Sequence, residues 1–335
     1  MAKLIALLTA LLLATTVARA QEKVVIQYDC IPNYANWGGV TAAYKARTGV
    51  TVPPDMKGSS AAMAALEAER DNPQADCAYY SGAIGFQAAQ RGLHQPYKPA
   101  GWDTIPDGLK DPEGLWWTVH TGHIAILVNT KALGDRRVPA SFADLLKPEY
   151  KGLVAYDDPT WGGTGFTFVY GINALLGGGP DMDAGFDYLR KLDANALTYP
   201  RENIYNALLS GEIPIWVNAD GNGLKARHVD GAPVETVIPA EGTVVMPLVM
   251  GMARGAPRPV ETRAYLDWLL TPEAQRLMAE SFFRPVVPVD LPPDLKAKFP
   301  PDAAYAKARV LPLKEMSDNA DAVKRRWLRD VRGGR

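Results

Sequence analysis

Histidine and cysteine are nearly absent from this chain, four and two in 335 residues. Neither Cys30 nor Cys77 has a second cysteine or a histidine at ligand spacing, which argues against a structural metal site. His120 and His123 form the one close histidine pair, and on an extended strand they would point to opposite faces, so a shared ion is disfavoured. Catalytic signatures are missing too. There is no G-x-S-x-G, no H-E-x-x-H, and no lysine after the glycines at 162, 163 and 165 to make a phosphate loop. "GNGLKA" at 221–226 formally matches a dinucleotide fingerprint with Glu241 downstream, but the helical stretch that follows is too short for the usual crossover. A glycine-rich turn lining a cleft suits it better. Charge of one sign is also lacking: the formal net charge is -1, so neither nucleic acid nor an anionic membrane is expected as partner.

Long apolar runs are confined to the beginning. "MAKLIALLTALLLATTVARA" has Lys3, an apolar stretch from Leu4 to Leu13, and small residues at Ala18 and Ala20. That pattern predicts a secretory signal peptide over 1–20 with cleavage near Ala20, since the run is too short to span ~30 Å of hydrocarbon. Losing Lys3 and Arg19 with it takes the net charge from -1 to -3. The remainder is longer than one hydrophobic core usually organises, so two lobes are expected. In an exported, oxidising setting Cys30 and Cys77 could pair, closing a loop of roughly 50 residues for a nominal gain of about 4 kcal/mol. Two separate buried thiols is the alternative.

What the sequence does contain is alternation. "KVVIQYD" reads as a strand emptying into a loop. "VTAAYKARTG" reads as a helix closed by Gly49, "GSSAAMAALEAER" as a helix capped by Ser59 or Ser60, and "ADCAYYSG" as a strand. Farther on, "HIAILVNT", "LVAYDD" and "IPIWVNA" are strands, "GTGFTFVYGINALLGG" is a helix, and Thr271 with Pro272 opens "TPEAQRLMAESFF". Strand–helix alternation predicts an α/β fold with mostly parallel sheets flanked by helices. In such sheets ligands sit beyond the carboxyl ends of the strands.

The loops at those ends collect aromatic and polar residues rather than nucleophiles: Tyr34 and Trp37, Tyr79 and Tyr80, Trp161, Trp216, with Asp157, Asp158, Asn218 and Asp220. Aromatic faces beside carboxylates suit an organic cation. Ser59, Ser60, Gly163 and Thr164 open helices whose free N–H groups attract anions. The candidate ligand-binding set is therefore Tyr34, Trp37, Ser59, Ser60, Tyr80, Ser81, Asp158, Trp161, Gly163, Thr164, Trp216, Asn218 and Asp220. No catalytic residue, metal ligand or cofactor is expected.

Three stretches, "VPASFADLLKPEYKGLVAYDDP", "ALLSGEIPIWVNADG" and "EGTVVMPLVMGMARGAPRPVETRAYLDWLLTPEAQRLMAESFFRPVVP", resemble the substrate-binding proteins of bacterial ABC importers. The match is to the two-lobed type II group that includes polyamine, ferric-iron, aminoethylphosphonate and phosphosugar binders. The resemblance implies a monomeric periplasmic protein that closes about its hinge on a small solute and delivers it to an inner-membrane permease with its ATPase. It implies lobe one over 21–124, lobe two over 125–242, and a return over 243–335 whose final helix could pack on lobe two. Ferric binders of the group carry a tyrosine pair where this chain has Asp220 and Gly221, which disfavours iron. A small amine-bearing or zwitterionic solute is favoured, such as a polyamine or aminoethylphosphonate. A phosphosugar is the alternative ligand, and a sensor-linked receptor the alternative role.

Overall fold

The computed structural model describes residues 23–201 and 203–334. The expected signal peptide lies outside them. The strands are β1 (Gln27–Tyr28), β2 (Cys77–Ser81), β3 (Trp117–Asn129), β4 (Val154–Tyr156), β5 (Ala196–Thr198), β6 (Ile215–Ala219), β7 (Val234–Val237), β8 (Val244–Met252), β9 (Arg284–Pro285) and β10 (Arg309–Val310). The helices are α1 (Trp37–Thr48), α2 (Ser59–Ala68), α3 (Gly82–Gln90), α4 (Thr130–Leu133), α5 (Gly163–Leu175), α6 (Asp183–Asp193), α7 (Ile204–Ser210), α8 (Asp220–His228), α9 (Pro259–Leu269), α10 (Pro272–Ala279), α11 (Pro293–Lys296) and α12 (Leu313–Asp330).

Local chemistry explains several of the boundaries. Gly49 ends α1 at φ 74°, where its N–H donates to the Lys45 carbonyl, a conformation that costs glycine little. Thr271 caps α10 by accepting from the Ala274 N–H, and Pro272 follows where its missing N–H is not needed. At α2 the expectation shifts by one position: Gly58 is the cap and Ser59 begins the helix. That frees the Ser59 hydroxyl for a different use.

The strands run in the order β1-β2-β8-β3-β6-β4-β5. Every residue of β3 is buried, as expected of a strand covered on both faces, and its second part, Ile124–Val128, is continuously apolar. Up to His123 it pairs with β8; from Ile124 onward it pairs with β6. One strand thus belongs to both half-sheets, and β8 returns the chain to β2, with Cys77 opposite Met252. Parallel pairing, as alternation predicts, holds for β1–β2 and for β5–β4–β6. The contacts of β3, and the β2–β8 pair, are antiparallel. Crossing strands enter each half against its own direction, which makes the sheet mixed.

The last helix connects the halves. Near its start, Leu313 lies beside Gly82 of α3, where an added Cβ would come within 3.0 Å of it. Near its end, the fully buried Trp327 donates from Nε1 to the Tyr156 hydroxyl at 2.8 Å. Its ring meets that of Tyr199 edge-on at 5.0 Å.

Cys30 and Cys77 are free, buried thiols, not a disulfide. Cys77 lies opposite Gln27 in the β1–β2 register, while Cys30 lies beyond the end of β1 and pairs with Asp55. Burial, with help from Asp29 and Asp55, pushes the Cys30 thiol up to about 12.

Candidate functional site

Two carboxylates, one from each half, flank the contact between Ser81 and Gly163. Asp29 directly follows β1 at φ 58°, a left-handed conformation that aspartate tolerates better than most residues. Its Oδ2 accepts from the Ser59 hydroxyl at 3.0 Å, and that hydroxyl accepts from the Ser81 N–H at 3.0 Å. The end of β1, the first turn of α2 and the end of β2 are thereby fixed to one another. Burial pushes the Asp29 carboxyl up to about 7, with the Ser59 bond opposing and Asp55 adding.

Asp157 follows β4 in the other half. Its Oδ1 accepts from Trp216 Nε1 at 2.7 Å and its Oδ2 from Asn218 Nδ2 at 2.9 Å. Those donors alternate along β6, so period two places both on one face, and β6 lies parallel to β4 with Val217 opposite Tyr156. Burial pushes Asp157 also up to about 7, against the two donated hydrogen bonds. Tyr34 feels the charge of both acids. Its phenol is held far above the ordinary range by burial first, then by the charges of Asp29 and Asp157. Its ring meets Phe283 edge-on at 5.1 Å.

The halves touch where α5 begins. A Cβ on Gly163 would fall 2.3 Å from Ser81 Oγ, and one on Gly165 would fall 2.2 Å from the Asp157 carbonyl oxygen. Glycine at these two positions lets α5 close onto β2 and onto its own preceding loop. The Ser81 hydroxyl is buried there and has no hydrogen-bond partner. Gly163→Ala is expected to leave the thermal midpoint within about 2 °C, because opening relieves the clash. Solute affinity is expected to fall about tenfold or more, as calorimetric titration would show. A large drop in melting temperature with intact affinity would mean that this contact is merely structural.

Several expected site residues are placed otherwise. Asp158 is buried and committed: Oδ1 accepts from the Thr160 N–H and hydroxyl, and Oδ2 from Arg201 and Arg332. Burial alone would raise its carboxyl, but the Thr160 and Arg201 donors outweigh it and hold the carboxyl below the usual range. Asp220 is likewise fully buried, accepting from the His123 and Gly221 N–H groups and from the Tyr305 hydroxyl. It ties β6, β3 and the C-terminal segment together, so its removal costs fold stability. Tyr80 shares a hydrogen bond with His94 in the core, at 3.2 Å. Trp37 is fully buried, edge-on to Tyr79 at 5.1 Å. Trp216 and Asn218 are buried and act by holding Asp157.

Ser60 and Trp161 stay at the surface, Trp161 at 58% exposure with the Arg201 guanidinium 5.6 Å from its ring. Together with Ser81, Gly163 and Lys324 of α12 they line a small crevice of about 30 Å³. Thr164 is half-buried in the first turn of α5. The candidate site thus gathers Tyr34, Ser59, Ser81, Gly163, Thr164, Trp216 and Asn218 around two acids: Asp157, which the sequence places among the polar loop residues though not in the final set, and Asp29, which it does not single out. An acid directly after a strand was the available signal for both.

The family model for bacterial extracellular solute-binding proteins matches residues 72–308. An uncharacterized protein of Haemophilus influenzae is 31% identical, the alignment covering 81% of this chain and 80% of that one. A Salmonella paratyphi A protein provisionally named as a 2-aminoethylphosphonate-binding periplasmic protein is 27% identical, covering 71% and 70%. Among solved structures, the substrate-binding protein of an ABC transporter from Agrobacterium tumefaciens superposes with a TM-score of 0.80 at 17% identity, covering 93% and 95%. That likeness shows the two-lobed fold.

Proposed function

The chain belongs to the bacterial extracellular solute-binding proteins, and from that premise we propose that it is the periplasmic solute-binding component of an ABC importer whose solute carries an amine. The observation that supports this reading is the pair of carboxylates, Asp29 and Asp157, contributed by opposite halves and brought together through Ser59, Ser81 and the glycines that open α5. An ammonium group between them would neutralise two charges that burial makes costly, and the Tyr34 face adds cation–π attraction. Because each half supplies one acid, the cation favours the closed arrangement, which is how a solute drives hinge closure. The N-terminal turns of α2 and α5, at Ser59 and Gly163–Thr164, add N–H groups suited to an anionic end. A zwitterion such as an aminophosphonate would use both parts. The relative from Salmonella provisionally named as a 2-aminoethylphosphonate binder agrees with that chemistry. Delivery to a membrane permease and its ATPase is part of the same proposal.

The test is a thermal-shift screen of the mature protein against 2-aminoethylphosphonate, putrescine, spermidine, amino acids and phosphosugars. An amine at a hundredfold excess over its dissociation constant should stabilise the fold by about 2.7 kcal/mol. A response to uncharged sugars or phosphosugars, with none to any amine, overturns the reading.

A further inference from the structure

A cavity of about 650 Å³ lies apart from the two acids, between β3 and the C-terminal segment that follows β9. Its position follows from register. Thr121 pairs with Arg284 and His120 with Pro285, and successive residues of a strand face opposite sides. His120 packs on Phe283 at 4.6 Å, which in turn meets Tyr34 at 5.1 Å. Thr121, Arg284 and Pro285 line the cavity, and Asp29, Tyr34 and Asp157 do not.

Arg284 is the polar group built into this cavity. Its guanidinium is stacked on Tyr305 at 4.0 Å and faces Phe299 at 5.0 Å. Nε and Nη2 are buried without a hydrogen-bond partner. The neighbouring carboxylate, Asp220, stands 4.0 Å from Nε and spends its oxygens on the His123 N–H, the Gly221 N–H and the Tyr305 hydroxyl. An arginine held this way keeps unspent donors on Nε and Nη2 beside an open-mouthed cavity. Of the remaining wall, Val287, Leu291 and Phe299 are apolar, while Lys296, Asp290 and Asp302 are exposed at the rim. Exposed charges are screened by water and salt, so the stacked guanidinium sets the polarity inside.

We infer that this cavity is a second ligand site, separate from the solute cleft, and that it takes a small organic carboxylate with an apolar body. The carboxylate accepts from Arg284 in a charge-assisted hydrogen bond. The body packs on Leu291, Val287 and Phe299. A volume of about 650 Å³ is in the range of pockets that hold a small molecule.

Benzoate is the probe, with benzyl alcohol as its uncharged counterpart, titrated calorimetrically into the mature protein. Benzoate should bind saturably at one site and benzyl alcohol at least tenfold more weakly. Arg284→Gln should weaken benzoate at least tenfold. Because Arg284 also faces Asp220, Leu291→Trp provides an independent block that fills the cavity and leaves the guanidinium in place; it too should abolish binding, with an unchanged circular dichroism spectrum. Asp157→Asn should leave benzoate binding as in the parent. Absence of saturable binding, equal binding of the alcohol, or binding that responds to Asp157→Asn and ignores Leu291→Trp each overturns the assignment. The last would place benzoate in the solute cleft.

Discussion

Asp157→Asn is expected to lower affinity for an amine solute by ten- to a hundredfold at pH 7.5, while the protein stays folded. The replaced oxygen accepts from Asn218 at 2.9 Å or Trp216 at 2.7 Å, so an amide can keep one of these bonds but not the charge. A hydrogen bond to an ionised group contributes about 1.5–3 kcal/mol, which corresponds to that range of affinities. The pH dependence has a definite sign. Both acids are pushed up to about 7 by burial, and an ammonium needs them ionised. Amine affinity should therefore rise from pH 5.5 through 7 and flatten near pH 8. In the ligand-free protein the linkage runs the other way. The folded form holds more protons than the unfolded chain between about pH 4 and 7, so stability declines as pH rises through that window. Asp157→Asn should reduce that decline. Calorimetric titration and thermal melts across pH 5–8 read both effects, and a variant with parental affinity at every pH would remove Asp157 from the site.

Trp327→Ala should produce the largest loss of stability, about 3–5 kcal/mol. The indole is fully buried, donates to the Tyr156 hydroxyl, and packs on Tyr156 and Tyr199 at 6.3 and 5.0 Å. Removing it leaves a cavity and takes one donor from the Tyr156 hydroxyl in the same place, so the loss of packing and of a buried hydrogen bond add. Denaturant melts give the value. A change under 1 kcal/mol would show that the end of α12 is marginal to the fold.

The fold was legible in the sequence wherever a local rule governs. Alternation of strand and helix gave the class, and Gly49, Thr271 and Pro272 marked helix ends by their own backbone chemistry. The mixed pairing was not legible, because it depends on which strands cross between halves. The loops of the site were identifiable for the same reason as the strands that end in them. Which side chain in each loop faces the cleft was not. Asp157 and Asp158 are the same residue type side by side, and they are told apart by Arg201 and Arg332, which lie 43 and 174 positions from Asp158. Asp220 is diverted in the same way by His123 and Tyr305, 97 and 85 positions away. Aromatic residues misled similarly. Tyr80 and Trp37 sit at the expected strand and helix ends, yet hydrogen bonding to His94 and packing on Tyr79 commit them to the core.

The buried state of Cys30 and Cys77 makes the chain suited to dye labelling. Thiol reagents attack the exposed thiolate, and here burial both shields the sulfur atoms and holds each thiol above its ordinary pKa. A cysteine pair introduced at Met56 and Trp161, which are 71% and 58% exposed and stand just before α2 and α5, would react in a background of silent native sulfurs. A donor and acceptor fluorophore at those two positions would then follow opening and closing one molecule at a time, with no native residue removed to make room for the chemistry beyond the two replaced.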